Sequence, residues 1–239
     1  MPAVDEAATL AKVLAQVRRL EPAEVIVVAN GPGEETARLA ARWGARVLRH
    51  AERVGHDVGR SLGAAEAAGD ALLFLDADLP VAAADLRPFG DAVSAGVDVA
   101  LNRIDAYIHP QARMHPVNAA KRFLGCALRR PDLGFASLTA IPHALSRRAV
   151  AALGAAALAV PPLALAKAVL GGLRVEAVHA VDVVGANVRR PGLNLGLSNP
   201  VADLILGDHL EAIDWVLARA GNPRGPFSDL GRRRELLAR

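Results

Sequence analysis

The sequence contains little cysteine, lysine or aromatic side chain. Its 239 residues include one cysteine, Cys126, with five phenylalanines, two tryptophans and one tyrosine. A single cysteine excludes a disulfide scaffold and a multi-cysteine zinc site, and it fits a reducing compartment. So few aromatic rings leave little for stacking on nucleic-acid bases.

The net positive charge of the chain is only weak evidence for nucleic-acid binding. The formal net charge is +3, and of the 28 basic residues only Lys12, Lys121 and Lys167 are lysines. Arginine in place of lysine, together with abundant alanine, indicates a codon bias rather than a nucleic-acid-binding stripe. With 52% hydrophobic residues the chain is not disordered, and its length suits one large domain.

No segment has the composition of a membrane span. The longest uncharged run, 149–166, is mostly alanine and is interrupted by Gly154 and Pro161, so it predicts core rather than a spanning helix. Asp5 and Glu6 stand where a signal peptide would be basic. We therefore expect a cytoplasmic protein, and peripheral contact with the inner face of the membrane stays open. Arg232–Arg234 is either a solvated tail or a contact for anionic lipid.

Strand-like and helix-like segments alternate along the chain. This alternation predicts an α/β fold with a mainly parallel central sheet and helices on both faces. Predicted strands cover 24–29, 45–49, 71–75, 97–102, 135–141 and 173–178. Predicted helices cover 5–20, 34–43, 56–69, 83–95, 117–129, 143–153, 162–171 and 199–219. A loop at 105–116 carries His109, Arg113 and His115, which either cover an acceptor or form plain surface.

Two segments stand at the carboxyl ends of predicted strands, where ligands bind in such folds. The first is the turn Asn30–Gly33, and the second is Asp76–Asp78. Asp76 and Asp78 are two residues apart, so their side chains can point the same way and repel each other. Mg²⁺ or Mn²⁺ would relieve that repulsion. A solvated strand end with a helix cap explains the two aspartates equally well.

Other polar residues each have two possible interpretations. Asn30 and Gly31 either approach a nucleotide or form an ordinary turn, and Arg60 either pairs with a phosphate or lies on the surface. No two histidines have zinc-protease spacing. His179 follows the predicted strand 173–178 and could complete a metal shell begun by Asp76 and Asp78.

Taken together, these segments resemble the family 2 glycosyltransferases of the GT-A fold. The matching stretches are Glu24–Val28, Asn30–Gly31 with Thr36, Gly55–Gly63 and Gly69–Asp78. The last of these is the most specific, because it has the family's order G-D-x-apolar-F-L-D-A-D. The resemblance implies a nucleotide-diphospho-sugar transferase fold and covers 2–80 well and 95–180 loosely.

The resemblance also implies a site. A divalent metal, Mg²⁺ or Mn²⁺, would hold the diphosphate of a UDP- or GDP-sugar on Asp78, with Asp76 beside it. Asn30 matches the position that contacts the nucleobase or ribose, and Arg60 matches a basic helix start that faces the donor. The family's P-A-x-N-E box is matched by four residues, which are Pro2, Ala3, Asp5 and Glu6.

Two features depart from the family pattern. The apolar strand that precedes the P-A-x-N-E box is absent before Pro2, so we expect either a start further upstream or another segment in its place. The acidic pair of inverting members falls near Val160–Pro161, where this chain has no carboxylate. A base would then come from Asp105, Asp132 or Asp182, unless the mechanism is retaining or activity is lost.

The resulting prediction is a single GT-A-like domain over 1–239 that acts as a hexosyltransferase-like glycosyltransferase. Residues 1–95 would bind the nucleotide sugar, 96–190 would face an unknown acceptor, and 191–239 would form a helix and a basic tail. The catalytic candidates are Asp78 and Asp182. The alternatives are a degenerate binding protein of the same fold and a sugar-phosphate nucleotidyltransferase, although 2–12 lack the latter's glycine-rich loop. The sequence leaves the acceptor and the oligomeric state open.

Overall fold

A computed structural model describes residues 1–110, 115–183, 185 and 199–228 of the chain. Arg113 and Arg232–Arg234, which the sequence singles out, lie outside these residues. The described strands are β1 (Pro2–Ala3), β2 (Ile26–Asn30), β3 (Arg46–His50), β4 (Ala71–Phe74), β5 (Val99–Asn102), β6 (His143–Ser146) and β7 (Val175–His179).

Helices separate most of these strands. They are α1 (Ala7–Arg18), α2 (Glu34–Arg42), α3 (His56–Glu66), α4 (Ala83–Ser94), α5 (Pro116–Ala127), α6 (Arg147–Leu153), α7 (Pro161–Leu170) and α8 (Pro200–Arg219). Short 3₁₀ helices cover Ile104–Tyr107, Pro131–Leu133 and Ala155–Ala159. The predicted α/β class and most predicted elements are confirmed to within a few residues.

The strands form two hydrogen-bonded groups. The first has the order β1-β2-β3 and is parallel throughout. The second has the order β4-β6-β5-β7, in which β6 is antiparallel to both neighbours while β5 and β7 are parallel. Parallel pairing therefore dominates, and β2, β4, β5 and β7 each lead into a segment that carries the candidate site residues.

Helix spacing and strand burial explain why the first half follows the sequence pattern. The apolar side of α1 places Leu10, Val13 and Leu14 in the core at intervals of three and four residues. Val27 and Val28 in β2 are both fully buried although they point to opposite faces, as expected for a strand covered on both sides.

The predictions for 135–146 are wrong in two places. No strand covers 135–141, although Phe135 and Leu138 are buried there. The strand is β6, in a stretch predicted to be helical, and α6 begins only at Arg147. Ser146 caps α6 by accepting the N–H of Ala149, so the short apolar run before it is free to pair with β4 and β5.

A cavity of about 210 Å³ lies between β2 and β4. Met1, Val25, Ile26 and the β4 residues are among its lining. β1 has two residues, and the Met1 nitrogen donates to the carbonyl of Ile26 at 3.2 Å. The expectation about a strand ahead of Pro2 stays a prediction.

Candidate functional site

Asn30 ends β2 as a buried polar residue. Its side chain is 3% exposed, and neither its amide nitrogen nor its amide oxygen hydrogen bonds to any part of the chain that the structure describes. Gly31 follows with a φ of +121°, a conformation that side chains with a Cβ rarely adopt, and its N–H donates to the carbonyl of His50 at 2.9 Å. A buried amide without partners is costly unless a ligand supplies them.

The segment between β1 and α1 is tied to the start of α2. The carboxylate of Glu6 accepts the N–H of Val4 at 3.0 Å, and the Glu6 N–H donates to the hydroxyl of Thr36 at 3.2 Å. Asp5 forms an exposed ion pair with Arg53 at 3.0 Å. These contacts place the predicted box of Pro2, Ala3, Asp5 and Glu6 beside the turn that follows Asn30.

Arg60 lies in the middle of an ion network at the start of α3. Its side chain is 7% exposed and donates to both carboxylate oxygens of Asp76, at 2.7 and 2.9 Å. It also donates to Asp57, one helical turn earlier, at 2.7 Å. Burial opposes the charge of Arg60, but the two carboxylates outweigh it and raise its pKa. Arg60 is therefore a fixed buried cation next to the carboxyl end of β4.

Gly59 allows this close approach of α3 to β1. A Cβ placed on Gly59 would lie 2.9 Å from the Cβ of Pro2 and 3.7 Å from the amide nitrogen of Asn30. Gly59 thus brings α3 close to Asn30, and the next residue, Arg60, reaches Asp76 just beyond β4. Three predicted donor-site residues, Asn30, Arg60 and Asp76, are brought to one edge of the fold.

His143 is a buried neighbour of this network. In β6 it pairs with Phe74, and the two rings stack with centroids 4.9 Å apart. Its Nδ1 lies 2.9 Å from the carbonyl of Ala140. Burial, reinforced by the positive charge of Arg60, lowers the pKa of His143 to about 3. The imidazole is therefore neutral at neutral pH.

This burial predicts acid sensitivity. The unfolded chain binds a proton at His143 below its ordinary pKa of 6.5 and the folded chain does not until about pH 3, so stability is lost as the pH falls through that window. We expect His143→Gln to reduce the difference in unfolding free energy between about pH 7.5 and about pH 4.5 by roughly 2.5 kcal/mol. Urea denaturation at the two pH values measures it, and an unchanged difference would show that His143 is accessible to protons in the fold.

Asp78 lies two residues beyond Asp76, in the turn that leads to α4. Asp182, which follows β7, borders the same region. A cavity of about 290 Å³ is lined by Leu79 and Asp85 on one side and by Tyr107 and Asp182 on another. Asp182 accepts the N–H of Gly185 at 2.9 Å. The structure therefore brings Asp182 close to the segment that begins at Asp78.

His179 has a partner other than the aspartates predicted for it. Its Nε2 lies 3.2 Å from a carboxylate oxygen of Asp85, and its ring meets the edge of Phe89. Among the described residues, no three His, Cys, Asp or Glu side chains converge closely enough to hold a metal ion by themselves. A role for His179 as a metal ligand stays a prediction, and it would require separation from Asp85.

The donor chemistry at the end of β4 nevertheless fits a divalent cation. Mg²⁺-type sites use one or two carboxylates together with substrate phosphates, and need no all-protein cage. Asp78 offers one carboxylate, and Asp76, two residues earlier in the chain, has Arg60 as its counter-ion. The protein part of such a site would therefore rest mainly on Asp78.

The remaining base candidates differ in their surroundings. Asp132 accepts hydrogen bonds from Arg130 at 2.7 to 3.1 Å. These hydrogen bonds lower the pKa of Asp132, although burial has the opposite effect. Asp105 accepts the N–H of Phe135 at 3.3 Å. Val160 and Pro161 begin α7 without a carboxylate, as the sequence indicates. Of the three candidates, Asp182 alone is seen to line the cavity beside Leu79.

Two residues of the site were not singled out from the sequence. Asp57 precedes Arg60 by three residues, a helical spacing that could have revealed their contact. His143 reaches the site only because β6 pairs with β4, and no local pattern signals that pairing.

The chain was compared with models of protein families and with curated proteins. A family model described as glycosyl transferase family 2 matches residues 1–151. No curated protein matches the chain at a significant level. None of the described helices combines the length and the apolar character that crossing a bilayer requires.

Solved structures share the fold at low sequence identity. Glucosyl-3-phosphoglycerate synthase from Mycobacterium tuberculosis, in complex with phosphoglyceric acid, aligns with a TM-score of 0.61 and 22% identity over 93% of this chain and 78% of that one. The complex with Mn²⁺, uridine diphosphate and glucosyl-3-phosphoglycerate aligns with a TM-score of 0.60 and 21% identity, with the same coverage. A structure described only as that of a mycobacterial protein aligns with a TM-score of 0.61 and 22% identity, over 93% of this chain and 74% of that one.

Proposed function

Because this chain belongs to glycosyl transferase family 2, we propose that it transfers a sugar from a UDP- or GDP-sugar to an acceptor, with a divalent metal held at Asp78. The observation that carries the proposal is the arrangement of polar side chains at the edge of the fold where β2, α3 and β4 meet. There a buried amide without partners, Asn30, lies near a buried cation, Arg60, that fixes Asp76. Residues 1–95 would hold the donor, and 96–190 would face the acceptor.

Each part of the donor has a matching group at this edge. The Asn30 amide can donate and accept at once, which suits a nucleobase edge or a ribose. Mg²⁺ or Mn²⁺ at Asp78 would neutralise charge on the departing nucleoside diphosphate. Arg60 holds the carboxylate of Asp76 in one orientation. The Pro2–Glu6 segment would border the donor, because Glu6 is hydrogen bonded to Thr36 of α2. Mn²⁺ and uridine diphosphate in a structure of the same fold support testing this pair first.

Asp182 is our proposed base for the acceptor. Its carboxylate would take the proton of the acceptor hydroxyl while that oxygen bonds to the anomeric carbon and the bond to the diphosphate breaks. Its place in the cavity beside Leu79 supports this role. His179, if it leaves Asp85, would be a further ligand of the metal.

Calorimetry tests the proposal. We expect UDP-glucose or GDP-mannose to bind in the presence of Mn²⁺ and to lose most of its affinity when EDTA is added. Both donors are titrated with and without the metal, and the sodium salt of ATP serves as a nucleotide control. If neither nucleotide sugar binds in a metal-dependent way, the proposed donor site is refuted.

A second candidate function is a catalytically degenerate binding protein of the same family. The absence of a carboxylate at Val160 and Pro161 favours it. A donor-hydrolysis assay separates the two functions. Active transferases release some free sugar to water, whereas a binding protein would hold the donor without turnover.

A further inference from the structure

The cavity of about 290 Å³ lies where three strands end. β5 and β7 are parallel, and β4 runs in the same direction because β6 is antiparallel to both β4 and β5. The lining comes from 79–82 and Asp85 after β4, from Tyr107 after β5 and from 180–182 after β7. Ligands bind at the carboxyl ends of the strands in such sheets. The first segment begins directly after Asp78, so the cavity adjoins the proposed metal ligand.

The charges that line this cavity are negative. Asp85 and Asp182 contribute carboxylates, and no lysine, arginine or histidine lines it within the described ranges. One carboxylate oxygen of Asp85 lies 3.2 Å from Nε2 of His179, and the Asp85 side chain is still half exposed. An ionised carboxylate only accepts hydrogen bonds. The cavity therefore offers acceptors to hydroxyl groups and repels anions.

Tyr107 adds an aromatic ring and a hydroxyl group to the lining. It ends the 3₁₀ helix Ile104–Tyr107 and is 38% exposed, whereas Ile104 is buried. The ring can cover carbon-bound hydrogens of a ligand, and the phenol can donate or accept a hydrogen bond. Most other lining residues are apolar, among them Leu79 and Val81. A few polar groups on an apolar wall are typical of a small-molecule site.

We propose that this cavity binds an uncharged acceptor with neighbouring hydroxyl groups, such as a sugar or a polyol. Its hydroxyls would donate to the carboxylates of Asp85 and Asp182, and its carbon skeleton would pack on the ring of Tyr107. A phosphorylated or carboxylated ligand would meet two like charges, which weakens binding. Calling this ligand the acceptor rests on the proposed function. Its class differs from the phosphoglyceric acid bound by the mycobacterial synthase, which is an anion.

Tyr107 makes a direct test possible, because it is the only tyrosine in the sequence. Protein labelled with carbon-13 in its tyrosine rings gives a single reporter at the cavity in nuclear magnetic resonance. Two matched pairs of probes are titrated, glucose with glucose 6-phosphate and glycerol with glycerol 3-phosphate. We expect at least one neutral compound to move the Tyr107 resonances, and its phosphate to bind at least about tenfold more weakly.

Three outcomes would overturn the proposal. In the first, neither neutral compound moves the Tyr107 resonances. In the second, a phosphate binds as tightly as its neutral partner or more tightly, which would show that cations face the cavity. In the third, choline, a cation that also carries a hydroxyl, binds more tightly than both neutral compounds, which would indicate a cation site.

Asp85→Asn tests whether the charge of the cavity sets this preference. The amide keeps the size of the side chain and removes one negative charge, so the preference for the neutral compound should narrow at least about threefold. Asp91→Asn is the matched control, because Asp91 is exposed on the same helix α4 and does not line the cavity. It should leave the preference unchanged, and equal changes in the two variants would contradict a local effect. Thermal unfolding checks that both variants are folded.

Binding of UDP with Mn²⁺ separates this proposal from the proposed function. If UDP binds with Mn²⁺ and no neutral compound moves the Tyr107 resonances, the cavity is not a polyol site and the donor site stands. If a neutral compound binds as expected and UDP does not bind, the cavity is a binding site and the proposed function fails.

Discussion

Asp78→Ala is expected to abolish metal-dependent binding of the nucleotide sugar while the fold stays intact. Asp78 is partly exposed, lies beyond the end of β4 and belongs to no apolar cluster, so its removal leaves the core unchanged. Losing a group that only supports a metal ligand costs about 10- to 100-fold in affinity, so loss of the main ligand should cost at least about 100-fold. Calorimetric titration with Mn²⁺ and UDP-glucose measures the change.

Asp91→Ala is the control for this prediction. Asp91 is an exposed carboxylate on α4, so its removal raises the net charge by one unit, as Asp78→Ala does, without touching the edge at β4. Its affinity for Mn²⁺ and the donor should stay within about twofold of the unchanged protein. Normal donor binding by Asp78→Ala would mean that the metal site lies elsewhere.

The sequence predicts the first half of the fold well because local pattern and tertiary role agree there. The continuous β-branched run in β2 and the regular apolar spacing in α1 each match the burial that the fold imposes. The same holds for Asn30 and Asp76, whose positions at strand ends follow from the general rule for parallel sheets.

The prediction fails where pairing partners are distant in sequence. β6 is four residues long, and its strand character depends on β4 and β5, which lie 40 to 70 residues earlier. A run of that length has no helical or strand period of its own to distinguish it. His143 was overlooked for the same reason, since only the β4–β6 register places its ring on Phe74.

The ion network shows a third limit. From the sequence alone Arg60 either pairs with a phosphate or lies on the surface, and the family resemblance implies that it faces the donor. The structure shows it turned toward Asp57 and Asp76 and almost fully buried. The carboxylates that neutralise Arg60 thus belong to the protein itself. The position of Arg60 in the sequence does not reveal the pair with Asp76, because the two residues lie on different elements.

Arg60→Met should therefore cause a large loss of stability. The substitution keeps an unbranched side chain of similar reach but removes the cation shared by two partly buried carboxylates. Breaking a buried ion pair by removing one partner typically costs about 3–5 kcal/mol, because the remaining charge keeps its desolvation penalty. Urea denaturation at neutral pH should show this loss relative to the unchanged protein.

The double variant Arg60→Met with Asp76→Asn tests the cause of that loss. Replacing the Asp76 carboxylate with a neutral amide removes one of the two carboxylate charges that Arg60 neutralises, so part of the stability should return and the two changes should not add. Arg53→Met removes an arginine from an exposed pair with Asp5, 67% and 57% exposed, and should cost no more than about 1 kcal/mol. If Arg60→Met costs no more than Arg53→Met, Arg60 is not a buried counter-ion, and its charge would be available to the donor phosphates.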